Sequence, residues 1–246
     1  MSFIIKTIRH IIRWILIAFF GSTILAVVAY RFFPVYVTPL MFIRTAEQIK
    51  EHKTIRWHHS WVSLNKISPH MPVAVMASED SRFLLHHGFD YEAIEEAAKR
   101  NKTRTRKLGA STISQQTAKN VFLWPGRTWV RKGLEAYFTA LIELMWSKQR
   151  IMEVYLNSIE MGDGIYGVSA VAEYHFDKEA ADLTRSECAL VAATLPNPRV
   201  YSSKSPSKYM LKRQRRIEHE MIFIPKFPKE GEDIDPNTVK GGMYKN

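Results

Sequence analysis

Glu79-Asp80-Ser81-Arg82-Phe83-Leu84-Leu85-His86-His87-Gly88 sets an acidic pair ahead of an aromatic residue, a histidine and a glycine. Downstream, Gly109-Ala110-Ser111-Thr112-Ile113-Ser114-Gln115-Gln116-Thr117-Ala118-Lys119-Asn120 is rich in hydroxyls and amides and carries a lysine near its end. Beyond that, Arg131-Lys132-Gly133-Leu134-Glu135 puts a glutamate one helical turn after two cations. Acid–base chemistry on a sugar needs a positioned carboxylate, and departure of a phosphate needs cations beside it. Both kinds of group stand in one short region.

These segments resemble the motifs of family 51 glycosyltransferases. The family pattern E-D-x-x-F-x-x-H-x-G is met by Glu79, Asp80, Phe83, His86 and Gly88. The pattern G-G-S-T-I-T-Q-Q-x-x-K-N is met except at Ala110 and Ser114, which exchange small for small and hydroxyl for hydroxyl. R-K-x-x-E is Arg131, Lys132 and Glu135. K-x-x-I-L-E-x-Y-L-N is Lys148, Ile151, Met152, Glu153, Tyr155, Leu156 and Asn157, with Met152 in place of leucine. The resemblance extends from roughly residue 40 to residue 198.

The resemblance implies an all-α, lysozyme-like domain with a smaller apolar lobe dipping into a bilayer, and polymerisation of lipid II. Glu79 would be the general base that takes the proton of the acceptor sugar's 4-hydroxyl. That oxygen would attack the anomeric carbon of the growing chain, inverting it and releasing undecaprenyl pyrophosphate. Glu135 would be the second catalytic carboxylate, near the pyrophosphate. No cofactor is required on this reading, with magnesium or manganese an optional assistant at Glu135. The expected partners are lipid II, the nascent glycan, membrane lipids, and wall-synthesis or cell-division proteins.

The chain has 246 residues, a net charge of +11 and a pI near 9.7, which imply an anionic partner. Nucleic acid is set aside, because the cations are not interleaved with stacking aromatics and an apolar run opens the chain. Trp14 to Tyr30 is uncharged and follows Lys6, Arg9 and Arg13. That run is near the short limit for crossing a bilayer, and its basic flank predicts a cytoplasmic N-terminus. A cleaved signal peptide is the competing reading, with Val27-Val28-Ala29 as its site. The anchor reading is preferred, because Phe32, Phe33, Tyr36 and Met41-Phe42-Ile43 continue as interfacial apolar surface. It puts the catalytic part on the periplasmic side of the inner membrane. Cys188, the single cysteine, excludes an internal disulfide and reads as core.

No sustained two-residue alternation occurs, so the soluble part reads as helical. Helices are expected from about Ser68 to Glu79, Tyr91 to Arg100, Thr112 to Phe122, Trp129 to Trp146 and Lys148 to Leu156. Another follows the Thr184-Arg185-Ser186-Glu187 capping box, and a segment from Tyr166 to Tyr174 follows a glycine-flanked turn. Residues 99–107 lack apolar groups and read as a mobile loop. The expected organisation is a cytoplasmic N-terminus and membrane helix over 1–31, a catalytic domain over 32–200 with 32–66 membrane-associated, and a basic tail over 201–246 that frays. The sequence has no K-T-G, which speaks against a transpeptidase partner domain.

Asp80, Phe83, Ser111, Thr112, Gln115, Gln116, Asn120, Arg131 and Lys132 are the remaining candidate substrate contacts. Lys119 and Arg127 are candidates for holding the departing pyrophosphate. No metal ligands are assigned. The bland alternative for Glu79 is an ion pair with Arg82 at i+3, and for Glu135 an ion pair with Arg131 or Lys132. Gln115 and Gln116 occupy adjacent helix positions, so they cannot both point into one cleft. Glu153, Tyr155 and Asn157 are expected to buttress it. Two rival functions share the carboxylates and helices: a glycan hydrolase and an inactive wall-synthesis scaffold.

Overall fold

A computed structural model describes residues 2–103, 109–126, 128–229 and 231–232. Its first helix, α1 (Ser2–Phe32), runs on because no breaker interrupts its apolar residues. At about 1.5 Å per residue it is roughly 46 Å long, more than the ~30 Å of bilayer hydrocarbon. The stretch Ile4–Phe32 is long and apolar enough to cross a membrane, and little of it is covered by protein. Its last third is different. Val27 is wholly buried, and Thr23 Oγ1 lies 2.9 Å from the Tyr137 hydroxyl. Trp146 Nε1 donates to the Val27 carbonyl at 2.9 Å, and Arg150 donates twice to the Tyr30 carbonyl, at 3.0 and 2.8 Å. A guanidinium thus satisfies a carbonyl at the helix's negative end. The domain boundary expected at residue 31 falls inside this contact.

Helix α2 (Pro39–Lys50) starts at proline, with Thr38 as its cap. Leu40 and Met41 point inward, while Phe32, Phe33, Tyr36, Val37 and Phe42 form exposed apolar surface beside α1. The main helical body then follows as α3 (His70–Glu79), α4 (Tyr91–Asn101), α5 (Ile113–Phe122), α6 (Trp129–Met145), α7 (Lys148–Ser158), α8 (Val168–Val171), α9 (Arg185–Thr194) and α10 (Lys208–Glu220). Polar caps open most of these: Asp90, Thr112, Thr128, Ser147, Thr184 and Ser207 each accept a backbone N–H from the first turn. At α9 the cap is the full box anticipated from Thr184 and Glu187. Helices α5, α6 and α7 pack together, and α3 and α9 close the other side of the core.

Three differences from expectation have physical reasons. A small sheet exists, with β1 (His58–His59) parallel to β3 (Ile165–Tyr166) and β2 (Glu160–Gly162) antiparallel to it. Its strands are two or three residues long, too short for alternation to register. The segment after it is helical only from Val168, and it widens into a π turn over Ala172–Phe176. The region 201–246 does not fray throughout, because α10 packs along α9 with Met210, Ile217, Met221 and Ile224 buried. The charges there hid a sparse apolar stripe. Of the expected mobile loop, Lys99 and Arg100 belong to α4, held by Glu95 and Glu96 one turn back, and residues 104–108 lie outside the described ones. Cys188 is buried, and its thiol is pushed up to about 12 by desolvation.

Gly167 opens α8 at φ 81° and ψ 163°, backbone that only glycine adopts readily. A Cβ there would stand 2.6 Å from the Asn157 carbonyl oxygen. Asn157 in turn bonds the backbone of Val62 through both amide atoms at 2.9 Å, tying α7 to the segment before α3. Gly167→Ala is expected to cost about 2–5 kcal/mol, read by denaturant unfolding. A change within about 0.5 kcal/mol would show that this turn tolerates a side chain.

Candidate active site

Glu79 is the last residue of α3, and Asp80 leaves the helix at φ −160° and ψ 78°. The two neighbouring carboxylates therefore face different surroundings. Asp80 is buried, accepts from His86 Nε2 at 3.0 Å and from the Ile113 backbone N–H at 2.9 Å. It fixes the start of α5 against the first motif. Both residues line a cavity of about 380 Å³, with Ser78, Ser81, Asp90, Gly109 and Ser111. Arg82 turns to Asp90 and Glu92, which speaks against the alternative of a Glu79–Arg82 ion pair.

Helix α5 divides its two glutamines between structure and site. The Gln115 side chain accepts from the Thr112 backbone N–H at 3.0 Å, while Thr112 Oγ1 caps Gln115 and donates to the Gly88 carbonyl at 2.7 Å. Thr112 and Gln115 are buried and close the capping box. Gln116 points the other way. Its Nε2 donates to Glu79 Oε2 at 3.2 Å, and its Oε1 accepts from the Tyr155 hydroxyl at 3.1 Å. Tyr155 is wholly buried, and desolvation holds its hydroxyl protonated by raising its pKa well above the usual value. The relay fixes which end of the Gln116 amide meets the carboxylate.

Desolvation raises the Glu79 pKa. Opposing it are hydrogen bonds from Ser78 Oγ at 2.9 Å and from Gln116, and the charge of Arg213, whose Nη2 lies 3.6 Å from Glu79 Oε1. Arg213 also donates to Ser78 Oγ at 3.0 Å, so it supports the group that supports the carboxylate. It belongs to α10, the helix hidden in the expected tail. The signal that could have found it is the spacing of Met210, Ile217 and Met221. Arg213→Met should raise the Glu79 pKa further and move the acid limb of kcat/KM to higher pH. The loss should then grow toward low pH and shrink toward high pH, and an unmoved limb would remove Arg213 from this role.

On the far side of Gln116 a second cavity, also about 380 Å³, is lined by Lys119, Asn120, Trp124, Arg131, Arg44 and Glu160 among others. Burial lowers the Lys119 pKa, against the attraction of Glu135 and Glu79. Arg131 is buried, and its Nε has no hydrogen-bond partner. Its Nη1 donates to Glu135 at 3.0 Å, and Lys132 Nζ pairs with the other Glu135 oxygen. Glu135 is buried and lines neither cavity, so it stands behind the two cations and holds them.

The structure thus brings Glu79, Asp80, Ser111 and Thr112 to one cavity and Gln116, Lys119, Asn120 and Arg131 to the other. Lys132, largely exposed, lines a shallow recess with Thr128 and Trp129. Phe83 is corrected from contact to core. It is fully buried, beneath Lys148 Nζ at 4.5 Å from its ring, because its position after the α3 terminus turns it inward. Arg127 lies outside the described residues. Lys148 donates to the His86 carbonyl at 2.7 Å and to Glu143 at 2.8 Å, and Glu153 accepts from the Leu64 N–H at 3.0 Å, both as scaffolding.

The residues around Glu135 do not suit a divalent cation, since its two oxygens already face Arg131 and Lys132. Among the described residues, Asp80, His86 and Asp90 come close enough together to share one. Asp80 there serves His86 and Ile113, and Asp90 caps α4. That cluster is a hydrogen-bond hub.

A family model described as Transglycosylase matches residues 46–222. The chain is similar to a biosynthetic peptidoglycan transglycosylase of Bacteroides thetaiotaomicron, 62% identical over 224 residues, which are 91% of this chain and 90% of the relative. The relative so named in Bdellovibrio bacteriovorus is 53% identical over 86% of this chain and 85% of its own length. One in Caulobacter vibrioides is 48% identical over 86% and 92%.

Proposed function

We infer the reaction from one premise: the chain belongs to the transglycosylase family. It is a peptidoglycan glycosyltransferase, and it joins lipid II into glycan strands for the cell wall. Within that reaction Glu79 is the general base. It takes the proton from the acceptor's 4-hydroxyl as that oxygen bonds to the anomeric carbon of the growing chain. The bond from that carbon to the pyrophosphate oxygen breaks on the opposite face, which inverts the centre, and undecaprenyl pyrophosphate departs with the electron pair.

The observation that carries this assignment is the shared face of α5. Gln116 bonds the base, and Lys119 stands one turn on, about 4.5 Å along the axis. Attacking and leaving oxygens on opposite faces of one carbon need a base on one side of the sugar and a cation on the other, and α5 carries a contact to each. Charge grows on the pyrophosphate as the bond breaks, so Lys119 and Arg131, which line one cavity, stabilise the transition state more than the ground state. The orphan Arg131 Nε is a donor waiting for an acceptor. Glu135 acts as a positioning residue for Arg131 and Lys132. Arg127 is assigned to the same pyrophosphate by sequence alone.

The test is incubation of the full-length protein with lipid II in liposomes. Glycan should lengthen and undecaprenyl pyrophosphate should accumulate. Shortening of added glycan would favour a hydrolase, and no change a scaffold.

We read helix α1 as the membrane anchor, and its basic flank of Lys6, Arg9 and Arg13 supports an N-terminus in the cytoplasm and a cleft on the periplasmic side of the inner membrane. Starting the chain at Arg31 would remove Val27 and Tyr30, leaving the Trp146 indole N–H and the Arg150 guanidinium without these acceptors. The expected cost is about 2–5 kcal/mol, seen as a lower thermal midpoint in detergent. Starting at Phe19, which keeps those contacts, should hold the wild-type midpoint. Equal midpoints for both would show that the helix end is only a tether.

A further inference from the structure

Glu160 on β2 plays no part in the mechanism above, yet it lines the Lys119 cavity. Its side chain is only 6% exposed. One carboxylate oxygen accepts from Arg44 Nε at 3.3 Å, and the other, Oε1, is buried without a partner. Tyr166, its cross-strand neighbour in the sheet, has a buried hydroxyl that also lacks a partner. A buried carboxylate oxygen without a donor is costly unless something else meets it. Arg44 does not require Glu160, because its Nη1 already pairs with Glu47 at 2.8 Å.

The rest of the cavity says what that something is. Lys119 and Arg131 supply cationic groups for a phosphate, while Trp124, an exposed aromatic, and Asn120, an amide, line the wall with Leu123 and Pro196. An aromatic plate with an amide and a carboxylate is the wall a sugar needs: a flat apolar face for its C–H side and acceptors for its hydroxyls. A sugar linked to a phosphate held by Lys119 must lie within this cavity. We propose that Glu160 is a substrate-binding residue whose carboxylate accepts hydrogen bonds from the hydroxyl or acetamido N–H groups of the sugar bearing the pyrophosphate. The proposal rests on the glycosyltransferase reading of the cleft. Burial raises the Glu160 pKa in spite of Arg44, as expected of a carboxylate short of donors.

The experiment uses full-length protein in liposomes with lipid II as the probe. Glu160→Ala should raise KM roughly tenfold or more, the worth of a hydrogen bond to a charged group. Its kcat at saturation should stay within about threefold, and its thermal midpoint should match wild type. Glu160→Gln, which keeps an acceptor and the shape, should recover part of the loss. It also serves should the alanine variant fail to fold. In the Glu79→Gln background, binding of fluorescent lipid II should weaken by the same factor when Glu160→Ala is added. An unchanged KM overturns the proposal. So does a rise in KM reproduced by Arg44→Met with an equal fall in thermal midpoint, because the ion pair alone would then explain it. If the wild-type protein does not lengthen glycan, the underlying reading fails and this proposal falls with it. If it does and Glu160→Ala binds lipid II normally, only the present assignment is lost.

Discussion

Glu79→Gln is expected to reduce lipid II polymerisation by about a hundredfold to ten-thousandfold, leaving the fold intact. The amide keeps the size of the side chain but cannot take a proton. The raised pKa of Glu79 gives a second readout. A carboxyl whose native pKa lies above its unfolded value holds its proton more tightly when folded. Its ionisation therefore subtracts stability as pH rises from the unfolded value, about 4.3, through the raised native one, and the full penalty stands above that. A neutral glutamine escapes it, so at pH 7 the variant should match or exceed the wild-type thermal midpoint while being inactive. A variant keeping more than about a third of wild-type turnover would sink the assignment.

Lys119→Ala should lower kcat by about 10²–10³, the usual effect of removing one preorganised charge-stabilising group. Burial depresses the Lys119 pKa, so the wild-type enzyme should lose activity on the alkaline side earlier than an ordinary lysine would allow. With the raised Glu79 on the acid side, the pH–rate profile should be a narrow bell. Lys119→Arg keeps the cation and should carry the alkaline limb upward, at some cost in fit. Normal turnover by the alanine variant would mean that the pyrophosphate is held elsewhere.

Much of this was legible in the chain because it is written in local chemistry. The Thr112–Gln115 and Thr184–Glu187 caps announce their helices within four residues, and the division between Gln115 and Gln116 follows from their adjacency. The inward turn of Phe83 depends on where α3 stops, which spacing alone does not settle. Arg213 and Glu160 escaped for a different reason. Each reaches the cleft only through a long-range contact, one through α10 against α9 and the other through a strand too short to leave a pattern. The burial of the last turns of α1 was likewise hidden, because an apolar helix looks the same whether lipid or Trp146 covers it.

The clasp of Trp146 and Arg150 on α1 makes that helix a depth gauge. Because the catalytic body grips residues 23–33, the height of the cleft above the bilayer is set by how many residues separate that grip from the basic group at Arg13. Each residue removed between Arg13 and Phe19 would draw the body inward by about 1.5 Å, against a substrate whose own headgroup stays at a fixed level in the lipid. The length of an otherwise featureless apolar segment then becomes a working dimension of the enzyme, because it sets how far the body can stand from the level of Arg13.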